Sequence, residues 1–294
     1  MNPTEYCARF VKNIVPDRQE TRDRQFSSYF TSADSAEHET TKVVRIARSV
    51  SVGSASFHQP LGPLHYQGET PACGGETFAE GVETLMPVLP TVQTVSGIGL
   101  WRGARRRQGQ EEDVSVGTRL EYLLDELKYR GWNRYVPGEA ENVLEQTADT
   151  LEEELQAADD VMINLSTYRI DPLASDSRAQ VYSALSTGYS VSFGTGLLEG
   201  FMSLGRNQIA LPNVAIGGAN DGHAMLMKGV LVGGSPSDGK NLILVQNHWV
   251  DPDGDLWSWG GCDWAGPEGQ NPLPGFFLMH EDCLPLVWDI HAFK

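Results

Sequence analysis

Three stretches decide the fold: QGETPAC at residues 67–73, DGHAMLMKGV at 221–230 and LILVQNHW at 242–249. The first stretch ends on Cys73, and the segment after it carries apolar residues at helical spacing, so we predict a helix that begins at or just after Cys73. The other two stretches are apolar runs of strand length, bounded by turn residues. The sequence therefore predicts a cysteine at a helix start and two strands with polar residues at their ends.

A thiol at a helix start is a candidate nucleophile. The unpaired N–H groups of the first turn stabilise a thiolate, and a neighbouring imidazole can hold the proton. His223 opens one predicted strand, and Asn247 follows another, where its amide could orient the imidazole as the third member of a triad. Gln67 lies before Cys73, and its side-chain NH2 could join the Cys73 N–H as donors to a developing oxyanion. These four residues predict nucleophilic catalysis by a thiol.

Helical patterns occupy the first half of the chain and strand patterns the second. A second helix is predicted from about Ser115 to a stop at Gly131, and a third, with an exposed acidic face, over roughly 141–159. The segment SRAQVYSALSTG predicts a shorter helix that leads into the strand YSVSFG, and PGFFLM is a further strand candidate. Together these patterns predict an α+β domain with two lobes.

Composition limits the classes of partner. The 294 residues include 39 acidic and 22 basic side chains, a formal net charge of −17, which disfavours nucleic acid and anionic membranes as partners. There is no apolar run of about 18 residues to span a membrane, and the first 20 residues lack the apolar stretch of a secretory signal. We therefore expect a soluble, acidic protein, cytoplasmic in location, that no signal peptide directs to secretion.

Charge also divides the chain. Residues 1–57 hold eight basic and seven acidic side chains, so the acidic excess belongs to the remainder. This contrast predicts an N-terminal arm or small appended element over 1–57, followed by a main domain over 58–294.

The order Gln67, Cys73, His223, Asn247 resembles the papain-like cysteine peptidases, and the resemblance covers about residues 60–280. It implies a papain-like two-lobed domain, with a helical left lobe, an antiparallel β right lobe and an N-terminal extension. It also implies that Cys73 is the nucleophile, His223 the general base and then acid, and Asn247 the orienting amide. Gln67 would belong to the oxyanion hole, and Trp249 would shield the contact between the triad amide and the imidazole. The PGFFLM segment would be the closing strand.

Two positions depart from the family pattern. Thr70 stands where a disulfide cysteine is usual, which is typical of an intracellular or viral relative. Gly74 stands where an aromatic residue usually follows the nucleophile, so we expect less packing behind the helix start.

Other polar residues have ordinary structural interpretations. For Arg105–Arg107, a solvated loop paired with the acidic residues at 111–113 is favoured over a nucleic-acid contact, a cleavage point or a docking patch. His248 is expected on the opposite face of its strand from Asn247, as a structural or surface residue. Cys262, Cys283 and His280 lack a fourth ligand, so neither a metal nor a cofactor is predicted. A disulfide between Cys262 and Cys283 stays open.

Three functions follow, in order of preference. The first is a cysteine peptidase that hydrolyses peptide or isopeptide bonds of a peptide or protein substrate, in an intracellular or virus-associated setting. The second is a papain-like fold retained as a structural or docking component of an assembly such as a virion, with contacts through residues 1–57 and weak or no catalysis. The third keeps the same triad but transfers acyl groups to amines or to glutamine side chains.

Overall fold

The computed structural model describes residues 56–68, 70–110, 116–137, 165–196, 201, 204, 208–212, 222–248 and 275–294. The helix predicted over 141–159 and residues 1–55 of the N-terminal arm lie outside the described residues. In the part of the chain that the structure describes, no helix is long and apolar enough to cross a membrane.

Within the described residues, three helices build one lobe: α1 spans Cys73–Leu85, α2 spans Gly97–Arg107 and α3 spans Leu120–Tyr129. The start of α1 at Cys73 confirms the helix predicted there. Helix α3 begins later than the predicted Ser115, and the chain leaves it through Gly131, whose φ of 81° suits glycine. Apolar side chains of the three helices share one buried cluster.

Helix α2 replaces the solvated loop predicted around Arg105–Arg107. The Ser96 side chain accepts a hydrogen bond from the Gly99 N–H at 2.7 Å and so caps the first turn, while the three arginines lie in the last turn, where the helix dipole favours cations. Arg105 is buried and donates to the Gly117 carbonyl at 3.2 Å. The loop prediction was wrong because the density of charge obscured the helical spacing of the apolar residues on α2.

In the described part of the chain, the second lobe is an eight-stranded sheet. Its strands are β1 Phe57–His58, β2 Thr167–Ile170, β3 Ser190–Gly196, β4 Ile209–Ala210, β5 Gly222–Leu231, β6 Leu242–Gln246, β7 Phe276–His280 and β8 Val287–Phe293. Their order is β2-β8-β3-β5-β6-β7-β4, with β1 paired to β5. Among these described strands the pairs are antiparallel, except for the parallel pair β4–β7. Helix α4, Ser177–Ser186, packs on this sheet, and the short 3-10 helix Glu281–Leu286 leads into β8.

The structure confirms the predicted α+β class, with a helical lobe and a largely antiparallel sheet. The predicted helix at SRAQVYSALSTG and the strands around His223, Asn247 and PGFFLM are all present. PGFFLM does not close the domain, however: the last strand is β8, which pairs with β2 and β3.

Helix α1 packs directly on the sheet. Phe78 stacks on Phe293 of β8, with ring centroids 5.0 Å apart. One turn further on, Gly81 permits close approach, since a Cβ there would overlap the Phe293 ring, and its carbonyl accepts a hydrogen bond from Ser190 of β3 at 2.8 Å. These contacts fix the helix that begins at Cys73 against β8 and β3.

Candidate active site

Cys73 is the first residue of α1 and is only 2% exposed. Burial raises the pKa of its thiol to about 11, while hydrogen bonds with the backbone of Ala224, Gly74 and Cys73 itself act in the opposite direction. The contact with Ala224 places Sγ beside the residue that follows His223 on β5. The thiol is therefore held between the start of the helix and the strand that carries the histidine.

Glycines allow the helix start to pack tightly. A Cβ on Gly74 would lie 2.7 Å from Leu123 Cδ1 of α3, and a Cβ on Gly75 would overlap the carbonyl oxygen of Gly97 at the start of α2. The looser packing expected from Gly74 is therefore not found, because α3 fills the space that an aromatic side chain would need.

His223 and Asn247 are directly bonded. His223 lies opposite Thr195 in the pairing of β5 with β3, and its Nε2 is 2.7 Å from Asn247 Oδ1. Burial lowers the pKa of His223 to about 4, and the bond to Asn247 opposes that shift. Because an amide oxygen only accepts, Nε2 carries the proton in this contact, and Nδ1 is the ring nitrogen that would take a proton from a thiol.

Gln67 lies in a buried turn ahead of α1. Its Nε2 donates to the Thr70 carbonyl at 2.8 Å, and Thr70 returns two hydrogen bonds to the Gln67 carbonyl, from N at 3.2 Å and from Oγ1 at 2.5 Å. Gly68, with a φ of 59°, makes the turn possible. The amide NH2 has a second hydrogen beyond the one that Thr70 uses.

His248 is buried beside His223, not on an opposite face as the sequence predicted. The two ring centroids are 5.0 Å apart. Strand β6 ends at Gln246, so the alternation of a strand does not extend to His248. Burial holds its pKa well below 6.5, and charge on His223 acts in the same direction. Trp249, predicted to shield the triad amide, lies outside the described residues.

Behind the helix start lies a buried cluster of ionisable groups that the sequence interpretation missed. It consists of His65, three glutamates of α1 (Glu76, Glu80 and Glu83) and Lys228 of β5. His65 Nδ1 is 2.9 Å from Glu76 Oε2, and its Nε2 is 2.8 Å from Glu83 Oε2. Lys228 Nζ donates to Thr84 Oγ1 at 2.5 Å. The available signal was the 4–3 spacing of the glutamates on one helical face, together with a lysine inside an apolar strand.

The charges of this cluster depend on one another. Burial alone would lower the pKa of His65, but its hydrogen bonds to Glu76 and Glu83 outweigh that effect and raise the pKa to about 10. Burial raises the pKa of Glu80 to about 8 and lowers that of Lys228 to about 8, and the attraction between the two groups opposes both shifts. His65 is therefore an imidazolium at neutral pH, while Glu80 holds its proton.

One group of described residues has the composition of a cation site. Oxygen and nitrogen atoms of Asp238, His280 and Asp282 lie within 4.8 Å of one another. These carboxylates already have partners: Lys240 Nζ and Arg178 Nη2 each lie 2.6 Å from an oxygen of Asp282, and His280 Nε2 lies 3.2 Å from Asp238 Oδ2. The group is therefore satisfied as a surface ion-pair network.

Cys283 is a free, buried thiol whose Sγ is 3.6 Å from the Ala210 carbonyl oxygen. Cys262, its partner in the disulfide that the sequence left open, lies outside the described residues.

Comparison with known proteins gives the fold. No family model and no curated protein sequence matches the chain. The solved structure of xylellain, a cysteine protease from Xylella fastidiosa, superposes with a TM-score of 0.61 at 14% identity, covering 97% of this chain and 96% of that one. The chain has a papain-like fold.

Two further structures agree with this papain-like fold. Digestive procathepsin L 3 of Tenebrio molitor larval midgut gives a TM-score of 0.60 at 12% identity and covers 99% of this chain and 78% of its own. Bromelain from Ananas comosus, solved with the inhibitor E64, gives 0.53 at 12% identity and covers 82% and 99%. At identities of 12–14% these comparisons show the fold alone, so a proposal about function has to be argued from the residues of the site.

Proposed function

We propose that this protein is a cysteine peptidase that hydrolyses peptide or isopeptide bonds. The observation that carries the proposal is the 2.7 Å bond from His223 to Asn247 in the buried site where the Cys73 thiol meets the backbone of Ala224. A thiol at a helix start, an imidazole and an amide that orients it are the parts that acyl transfer through a thioester requires.

In the first half-reaction Cys73 Sγ attacks the carbonyl carbon of the substrate while its proton passes to His223 Nδ1. The carbonyl oxygen becomes an oxyanion, which accepts hydrogen bonds from the Cys73 N–H and from the second hydrogen of the Gln67 amide. Collapse of the intermediate breaks the C–N bond, and His223 gives the proton to the departing amine. A thioester on Cys73 remains.

In the second half-reaction His223 takes a proton from water, and the oxygen of that water attacks the thioester carbonyl. Collapse breaks the C–S bond, releases the carboxylic acid and returns the proton to Sγ. Asn247 keeps Nδ1 directed at the reacting atoms throughout, because its Oδ1 accepts from Nε2 in both charge states of the imidazole.

The pKa directions describe the resting state. With the pKa of Cys73 raised and that of His223 lowered, both groups are neutral at pH 7. His223 is then available as a base across the neutral range, and proton transfer accompanies the attack.

The test is hydrolysis of a mixture of fluorogenic peptides by the wild-type chain and by Cys73→Ala and His223→Ala. We expect both variants to lose at least about a thousandfold in kcat/KM, since triad members act as a unit. Cys283→Ala is the matched control, because it removes the other described free thiol and should retain activity. Activity that survives Cys73→Ala would refute the proposal. Product analysis with an added amine separates hydrolysis from acyl transfer.

One observation favours a second candidate, in which the fold serves as a structural or docking component with weak or no catalysis. Cys73 and His223 are almost wholly buried, which holds both in their neutral forms. This candidate predicts a Cys73 that reacts no faster than an ordinary thiol, and assembly contacts through residues 1–57. The intracellular or virion-associated setting stays a prediction.

A further inference from the structure

His65 occupies an unusual position for a histidine. It lies in the segment 61–67, which forms neither helix nor strand, and its side chain is fully buried. Both ring nitrogens meet carboxylates of α1, at 2.9 Å from Glu76 and 2.8 Å from Glu83. These two contacts outweigh burial and raise the pKa of His65 to about 10, so the ring is an imidazolium at neutral pH and both nitrogens donate.

Two contacts from one helix fix the ring along the helix axis. Glu76 and Glu83 are seven residues apart on α1, about 10 Å along the axis at 1.5 Å per residue, and they converge on the ring from both sides. Glu83 is itself held, because its Oε1 accepts from the N–H groups of Thr94 at 2.6 Å and Val95 at 2.9 Å. The backbone at His65 is thereby fastened to the helix.

This attachment lies close to the proposed oxyanion hole. Gln67 is two residues after His65, and Glu76 is three residues after Cys73. Between them the chain is closed by the hydrogen bonds that join Gln67 to Thr70. The loop that bears Gln67 is therefore held at one end by the helix and at the other by His65.

We propose that His65 is a positioning residue: held between Glu76 and Glu83, it fixes the segment that carries Gln67 against the helix that carries Cys73 and so sets the oxyanion donor. This inference rests on the proposed function. The other two ionisable groups of the cluster, Glu80 of α1 and Lys228 of β5, do not belong to the segment 61–67.

The test is a double-mutant cycle of His65→Gln with Gln67→Ala, read as kcat and KM for peptide hydrolysis. Loss of one oxyanion donor costs about 100-fold or more in kcat, so we expect that effect from Gln67→Ala. His65→Gln should lower kcat about 10- to 100-fold with KM nearly unchanged, because the donor acts in the transition state. In the Gln67→Ala background it should cost less than about twofold, because the donor that it positions is gone.

Two further variants separate positioning from general destabilisation. His65→Lys keeps a buried cation at the same place and should recover part of the kcat lost in His65→Gln. If His65→Gln does not fold, His65→Lys replaces it in the double-mutant cycle with Gln67→Ala. Glu80→Gln alters the same cluster without touching the 61–67 segment and should leave kcat within about threefold.

The outcomes are distinguishable. A loss from His65→Gln that is equally large with and without Gln67 would overturn the positioning role while leaving the peptidase intact. A wild-type chain without activity that depends on Cys73 would instead overturn the proposed function on which the inference rests.

Discussion

Glu80 should lower the free energy of unfolding as the pH rises from 5 to 8, and Glu80→Gln should remove the part of that fall that Glu80 causes. Glu80 is 2% exposed, and within the described residues neither of its carboxylate oxygens has a hydrogen-bond partner. Its pKa is therefore raised from 4.5 to about 8. Between these values the folded chain keeps a proton that the unfolded chain has released, so the free energy of unfolding falls as pH rises.

The magnitude follows from the two pKa values. Moving a carboxyl from 4.5 in the unfolded chain to about 8 in the folded one corresponds to a loss of about 5 kcal/mol once the pH exceeds 8. His65 acts in the same direction between pH 6.5 and about 10, and His223 in the opposite direction between about 4 and 6.5. The difference between wild type and Glu80→Gln measures Glu80 together with its electrostatic coupling to His65 and Lys228, while the contribution of His223 is common to both.

Urea unfolding at half-unit steps from pH 5 to pH 8 measures this difference. We expect Glu80→Gln to match the wild type near pH 5 and to exceed it by about 2 to 5 kcal/mol at pH 8. Glu83→Gln is the control between pH 5 and pH 6.5: burial would raise the pKa of Glu83, but the hydrogen bond from His65 helps to lower it, so in that range this variant should be less stable than the wild type by a constant amount. Parallel curves for wild type and Glu80→Gln would refute the argument.

Two other predictions concern the site and its packing. Asn247→Ala removes the 2.7 Å bond to His223, so we expect kcat/KM to fall about 10- to 100-fold. In the pH–rate profile, the acid limb should move below the pKa of about 4 that His223 has in the wild type, because the bond to Asn247 raises that pKa; an unchanged profile would contradict the orienting role. Gly75→Ala should lower the free energy of unfolding by at least about 2 kcal/mol in urea, although alanine favours helices, because its Cβ would overlap the Gly97 carbonyl. The control Gly62→Ala would meet only Leu89 Cδ1 at 3.8 Å, and equal stability of the two variants would contradict the tight packing of α1 on α2.

The sequence predicted helices and strands correctly where the local pattern of apolar residues matches the face that the fold buries. As predicted, helix α1 starts at Cys73, His223 lies at the start of β5, and Asn247 directly follows β6. Each of these elements combines an apolar repeat with turn residues at its ends. The Arg-rich helix α2 was missed because its stabilising contacts, such as Arg107 with Glu126 at 2.6 Å, come from another helix.

The buried cluster and the place of His248 depend on long-range packing. His65 lies eleven residues before Glu76, and no local sequence pattern indicates that α1 will bind its side chain. Likewise, no local pattern in β5 indicates that Lys228 will contact the same helix. Local alternation misplaced His248, since the strand ends before it. The order of residues along the chain predicted the candidate catalytic residues, whereas the charged groups around them could be identified only from the structure.

The most direct test of the central claim is the rate at which a peptidyl epoxide labels Cys73, measured by mass spectrometry on wild type and on His223→Ala. The account predicts labelling of Cys73 much faster than that of Cys283 or free cysteine, with a loss of at least about a hundredfold in His223→Ala. Labelling of Cys73 at the rate of free cysteine, unaffected by His223, would contradict an activated nucleophile and favour the structural role.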